Sequence, residues 1–254
     1  MKHIETNPSD SIKLSNRIKR GQITPGFIQP YTDLPDEKLY KLLSSSLPQE
    51  RTTAAYILGQ RKKPESIPIL CSAFQTTKTL YTRIEISNSL AKIGKIAVPA
   101  LLELLGTIGS NQHKNLPAKN FEKKNYPLPR DIVARTIIRI GPPAIPGLLK
   151  VLQDGKRQQI LEAIDAVGYI SFYMKPNDPE IETELLVAYS KHIDDSLVRW
   201  KIVRAFQAFG TQKIQNLLEE IFEHDPFPAI RQEAIRSLKQ NNRILSRKKE
   251  YKSE

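Results

Sequence analysis

One feature constrains the fold of this chain more than any other: a helical frame that recurs along most of its length. With Arg199 as position zero, apolar residues follow at +3, +4, +7 and +10 (Ile202, Val203, Phe206, Phe209), and Gly210 stands at +11. Apolar residues spaced in that way form one stripe of a helix, and a glycine after them marks its stop. The frame fits again from Arg157 (Ile160, Leu161, Ile164, Val167, Gly168), from Arg130 (Val133, Ala134, Ile137, Ile140, Gly141) and from Arg83 (Ile86, Ser87, Leu90, Ile93, Gly94). Worn copies flank these. Arg51 is followed by Ala54, Ala55 and Leu58 without the glycine, and Arg231 by Ala234, Ile235 and Leu238, with Asn241-Asn242 at the expected stop. Glycine is only 11 of 254 residues, so its return at one offset in four of six frames is not chance.

A shorter apolar segment precedes each of these helices. Three open on a related phrase, Ser66-Ile67-Pro68, Ala97-Val98-Pro99 and Ala144-Ile145-Pro146, and proline suits the first turn of a helix because its missing N–H is not needed there. Leu101, Leu102 and Leu105, then Leu148, Leu149 and Leu152, continue such segments as core stripes; Glu182 to Tyr189 and Ile214 to Phe222 fill the same slot later. Each unit is a helical hairpin. The arginines are spaced by 32, 47, 27, 42 and 32 residues, so the unit is about 32 residues long and the wider intervals hold insertions. The larger insertion is a polar loop near 107–128, the smaller lies near Ser171–Pro179. Worn end copies are expected because terminal repeats face water on one side. The predicted organisation is a basic, partly flexible N-terminal extension (1–33), an all-α repeat array (34–240) and a basic C-terminal tail (241–254).

The frame Val198-Arg199…Ile202-Val203…Phe206…Phe209-Gly210 resembles the short HEAT-like repeats first recognised in phycobilin lyases. The resemblance covers roughly residues 34–240. It implies an all-α, right-handed α-solenoid of HEAT/armadillo-like type, with about six hairpins whose second helices line the concave surface. The Trp, Leu-Gly, Tyr and Ala-x-x-x-Phe pattern of tetratricopeptide repeats and the Thr-Pro-Leu-His phrase of ankyrin repeats are absent.

Function is less constrained, because such solenoids supply surfaces for many purposes. A deoxyhypusine-hydroxylase-like chain needs repeated His-Glu pairs, whereas the four histidines here precede Ile4, Lys114, Ile193 and Asp225. Alkylpurine-glycosylase-like HEAT proteins add a carboxylate to their aromatic and basic residues; the single tryptophan, Trp200, has Arg204 where a Trp-x-x-x-Asp arrangement would put it. No residue marks a bilin site. No G-x-S-x-G or phosphate-binding glycine loop accompanies Ser44-Ser45-Ser46 or any other segment. One cysteine, Cys71, excludes an internal disulfide, and it reads as a small apolar residue on a buried helix face. Asp194-Asp195 reads as a helix N-cap. His192 and His224 lack a second ligand at metal spacing. No catalytic residue, metal or cofactor is therefore expected. The chain shows no membrane span or secretory signal, and a cytoplasmic location is the default expectation.

The net charge is +12, but residues 1–30 and 107–129 each hold +3 and residues 239–254 hold +4, so most of it lies outside the repeats. That charge leaves nucleic acid as the alternative partner, with Phe121, Tyr126 and lysines interleaved in the loop and Arg243, Arg247, Lys248, Lys249 and Lys252 in the tail. The leading expectation is a non-enzymatic scaffold that binds a protein or peptide on its concave face; nucleic-acid binding is second and lyase-like handling of a chromophore a weaker third. The repeated arginines (51, 83, 130, 157, 199, 231) are expected to be structural, bonding carbonyls or carboxylates of the adjacent turn or repeat, with Asp195 and Asp154 as nearby partners for Arg199 and Arg157. Offset +5 carries Tyr56, Asn88, Arg135, Glu162, Arg204 and Arg236, with Arg139 at +9 and Trp200 at +1. Trp200, Arg204, Arg135, Arg139, Arg236 and Tyr56 are the candidate ligand surface, with Trp200 exposed for stacking.

Overall fold

The computed structural model describes residues 8–118, 124–176 and 178–250, with side chains from Ile12 to Asn241. Among the described residues all regular structure is helical. The helices are α1 (Pro8–Lys19), α2 (Pro25–Ile28), α3 (Asp36–Leu42), α4 (Pro48–Arg61), α5 (Ser66–Thr76), α6 (Leu80–Ile93), α7 (Val98–Leu104), α8 (Ile132–Ile140), α9 (Ile145–Asp154), α10 (Arg157–Met174), α11 (Glu180–Lys191), α12 (Ser196–Ala205), α13 (Gln212–His224) and α14 (Pro228–Glu250). From α3 onward they follow the order of the six predicted hairpins, with α4, α6, α8, α10, α12 and α14 as second helices; α3 packs on α4, α5 on α6, α9 on α10, α11 on α12 and α13 on α14. The chain divides into two compact units, residues 1–100 and 101–254.

In the first unit α4 packs on α6, and the predicted stripe is the reason: Ala54, Ala55, Leu58, Ile86 and Leu90 are all fully buried. The backbones come close enough that a β-carbon on Gly59 would stand 2.5 Å from the Ser89 β-carbon. The N-terminal extension is tied to this unit. The amide of Tyr81 donates to Arg20 O, and Gly21 is buried against the Thr52 and Thr82 hydroxyls.

In the second unit α10 packs on α8, α9 and α12, and α12 packs on α14. Leu148, Leu161, Ile164, Val167, Ile202, Val203 and Phe206 form its core. Burying each such side chain contributes about 1.5–3 kcal/mol. Successive second helices are also tied through one repeated carbonyl, at +4 in the frame. Ser89 donates to Ala55 O (2.7 Å) in the first unit and Ser237 to Val203 O (2.9 Å) in the second.

The glycine at +11 serves different ends. Gly94 and Gly141 terminate α6 and α8 with φ of +85° and +79°, a conformation that side chains with a β-carbon resist. Gly168 terminates nothing: α10 runs through it to Met174. At the C-terminus, α14 continues past Asn241-Asn242 without a stop to Glu250, so its backbone is helical through most of the predicted tail.

Candidate partner-binding site

The arginine frame is structural, as the sequence predicts, and its partners are regular. Arg51, Arg83 and Arg231 each stand fourth in their helix and donate to the carbonyl six residues upstream: Ser45 O, Thr77 O (2.7 Å) and Asp225 O (2.6 Å). This fastens the turn between the two helices of a hairpin. In the third hairpin Arg135, not Arg130, takes that place and donates to Pro129 O at 2.6 Å, because α8 starts five positions later in the frame, after the insertion. Arg130 is exposed ahead of the helix. The carboxylate partners lie one repeat away rather than close in sequence. Arg157 forms two bonds to Asp195, and Arg199 pairs with Asp225 at 3.0 Å, mostly buried. Asp195 also caps α12, accepting from Leu197 N and Val198 N, as its N-cap reading requires.

Trp200 is 1% exposed, so it is not an open stacking platform. Two neighbours cover it. The Arg204 guanidinium lies over its ring at 3.7 Å, and His113, from the insertion between α7 and α8, meets it edge-on with ring centres 5.1 Å apart. Arg204 is itself 4% exposed and lies 3.5 Å from the buried Glu233, which also accepts from Arg236 Nε at 2.7 Å. Three predicted residues, Trp200, Arg204 and Arg236, are thus brought together on α12 and α14.

Beside them is a fully buried ion cluster that the sequence reading missed. Lys201 Nζ lies 3.1 Å from Glu162 Oε1 and 2.9 Å from Asp165 Oδ2, and donates to Leu161 O at 3.0 Å. Leu161 is at +4, so Lys201 serves the carbonyl that Ser89 and Ser237 serve elsewhere; at the serine position α12 carries Ala205. In the sequence the cluster shows only as that missing hydroxyl and as Glu162, the one acidic residue at +5. Burial pushes the Glu162 carboxyl up to about 7, with Asp165 and Asp131 adding to the effect and Lys201 opposing it. Burial also lowers His113 to about 4, so its imidazole is neutral.

The insertion supplies the cover. Gln112 bonds Asp131 at 2.8 Å, and Asp131 caps α8 through Ala134 N, also at 2.8 Å. Tyr126, predicted as part of a polar loop, is 2% exposed: its ring packs beside Tyr169 and Phe172, and Tyr173 donates to its carbonyl at 3.0 Å. Several buried polar atoms here have no hydrogen-bond partner in the protein: Trp200 Nε1, His113 Nδ1, Tyr126 Oη, Glu162 Oε2 and Asp165 Oδ1.

The remaining predicted residues lie apart. Arg135 is spent on its turn, Arg139 is exposed on α8, and Tyr56 belongs to the first unit, half-buried with Lys92 5.1 Å from its ring. Cys71 is buried, which pushes its thiol up to about 11. Ser45 hydrogen-bonds Glu50, and His224 is exposed beside Glu223. Phe121 and the side chains of Arg243, Arg247, Lys248, Lys249 and Lys252 lie outside those described. Among the described residues no three His, Cys, Asp or Glu side chains gather as metal ligands, and no single helix is long and apolar enough to cross a membrane.

This paired-helix repeat defines a HEAT-type α-solenoid chain. The HEAT-repeat family matches residues 37–109 and 145–239, and the chain belongs to that family. No curated protein sequence matches it. Among solved structures it is similar to human deoxyhypusine hydroxylase in complex with glycerol, at 16% identity over 94% of this chain and 92% of that one, with a TM-score of 0.36. It is also similar to a designed armadillo repeat protein, at 16% identity over 82% of this chain and 100% of that one, with a TM-score of 0.32. A second designed armadillo repeat protein, in complex with the peptide (KR)4, shares 14% identity over 93% and 95%, with a TM-score of 0.32.

Proposed function

We propose that this HEAT-repeat chain is a non-enzymatic scaffold that binds a protein or peptide segment on the concave face lined by its second helices. The observation that supports the reading is the Trp200–Arg204 stack. It sits on the polar side of α12 among buried donors and acceptors that the fold leaves without protein partners. A hydrophobic core of the same volume would satisfy packing better, and unmet buried polar atoms are costly, so such a concentration points to a surface built for a ligand. Arginine and tryptophan are also the residues that most often anchor interfaces. Arg139 is exposed on α8, a second helix of the same unit as α12.

The test is site-specific photocrosslinking in extract from the native cell, with and without nuclease. A photoreactive residue in place of Arg139 is compared with one in place of Val187, exposed on the first helix α11. The expected result is a protein crosslink at 139 alone that survives nuclease. Crosslinks that vanish with nuclease favour the nucleic-acid alternative, and equal crosslinking at both positions removes the second-helix face as the site.

A further inference from the structure

The insertion between α7 and α8 is polar, and among its described residues Lys114, Asn115, Lys124 and Asn125 are exposed. Yet it lies against α10 and α12 through a few anchors, as a bound peptide does. Tyr126 is the deepest. Its hydroxyl lies only 2.1 Å from where a β-carbon on Gly168 would be, so the helix surface is hollowed at that residue to take the ring. His113 is the second anchor, on Trp200. Resting on the reading above, we propose that this insertion, through its described stretches 107–118 and 124–128, is a built-in occupant of the partner groove. A partner binds by displacing it with an extended peptide that puts its own aromatic side chain into the Gly168 seat.

The chemistry of the contact supports an exchangeable occupant rather than a permanent core. The Tyr126 hydroxyl and His113 Nδ1 bring polar atoms into the groove that bond to nothing in the protein, and Trp200 Nε1 below them is left without an acceptor. A peptide that supplies an acceptor to Trp200 Nε1, or whose aromatic anchor lacks an unpaired hydroxyl, makes the same burial with fewer unmet groups. The seat takes the hydroxyl and the ring by close packing and gives the hydroxyl no hydrogen bond, so recognition rests on shape.

Trp200 is the chain's single tryptophan, so its fluorescence reports this groove alone. The experiment replaces residues 107–128 in the full chain with a Gly/Ser linker of the same length, then adds a synthetic peptide of residues 107–128. The expected result is retained helical circular dichroism, a red shift of Trp200 emission, and saturable reversal of that shift by the peptide. A Tyr126→Ala peptide should bind weaker by about tenfold or more, and a Tyr126→Phe peptide as well as the parent. The intact chain, already occupied, should take up labelled peptide about tenfold more weakly than the linker chain. Emission that stays blue in a folded linker chain, no saturable reversal, or equal uptake by both chains overturns the proposal. If the linker chain loses its helicity, full-length Tyr126→Ala decides: its anchor is gone, and failure to take up the peptide more tightly than the intact chain overturns the proposal. A chain that crosslinks a protein partner at 139 but never takes the 107–128 peptide keeps the scaffold reading and sinks only this one.

Discussion

The hydroxyl of Tyr126 occupies the space beside Gly168 in which any other residue would carry its β-carbon. Inside a helix glycine is disfavoured against alanine by about 1 kcal/mol, so Gly168→Ala ought to strengthen α10 by itself. Here the added methyl would drive Tyr126 from its seat, and overpacking of this kind costs about 1–3 kcal/mol. Gly168→Ala is therefore expected to lower the urea midpoint and to shift Trp200 emission through loosening of the insertion. Gly94→Ala makes a useful contrast. Nothing lies within 4 Å of its β-carbon position, and its cost comes from the positive φ alone, so Trp200 emission should not move. Identical emission in the two variants would show that Tyr126 and Trp200 are not held by one contact.

These two glycines also show what the sequence made legible. The offset +11 recurs because two different physical needs select the same residue: a left-handed stop at Gly94 and Gly141, and a close approach at Gly168. Periodicity reveals the recurrence and cannot separate the causes. The apolar stripe and hairpin order were fully readable, since burial follows helical spacing at Leu58, Leu90, Leu161 and Val203 alike. Trp200 and Arg204 lie off that stripe and read as an open ligand surface, and Lys201, also off it, gives no signal of its own. Trp200 is covered by His113 of the insertion, Arg204 meets Glu233 of α14, and Lys201 is buried against α10, long-range events with no local signature. Tyr126 was hidden for the same reason: an aromatic residue in a polar run looks like a loop residue until its seat, 42 positions later at Gly168, is in place.

The arginines at equivalent frame positions should differ sharply in what they contribute. Arg199 and Asp225 are nearly buried, with side chains 9% and 2% exposed, whereas Arg157 is 56% exposed over Asp195. Removing one member of a buried pair leaves a charge without water or partner and costs about 3–5 kcal/mol. An exposed pair is worth about 1 kcal/mol at most. Arg199→Ala is expected to destabilise the second unit severely and Arg157→Ala slightly, because Asp195 keeps its capping bonds to α12. Chemical denaturation of both variants checks this, and equal losses would show that the Arg199 pair is already solvated.

Lys201 pairs with both Glu162 and Asp165 where none of the three side chains has appreciable access to water. Lys201→Met keeps much of the side-chain volume and removes the charge, so Glu162 and Asp165 face each other unpaired and the Leu161 carbonyl loses its extra donor. A loss of about 3–5 kcal/mol is expected. The triple change Lys201→Met, Glu162→Gln, Asp165→Asn should recover much of it, since the buried charges go together. No recovery in the triple variant would place the effect in packing rather than in electrostatics.

In their dependence on pH, the fully buried Glu162 and the half-buried His113 oppose each other. Glu162 is raised by burial from 4.5 to about 7, so between those values the folded chain holds a proton that the unfolded chain has released. Its contribution to stability therefore falls as pH rises through that range. His113 is lowered by burial from 6.5 to about 4, so the unfolded chain binds a proton that the folded one refuses, and stability falls as pH drops through that range. Between 4.5 and 6.5 the two effects have opposite sign and nearly cancel. Asp131, raised by burial, acts with Glu162 at the acid end, while Asp36 and Asp195, held low by their cations, lose their contribution only below their ordinary value of 3.8. The intact chain should thus show a nearly level urea midpoint across that window. Glu162→Gln leaves the histidine effect exposed and should be more stable at the upper end of the window than at the lower. His113→Gln should tilt the other way. Parallel profiles in both variants would mean that neither group is buried in solution, and that the insertion does not cover Trp200.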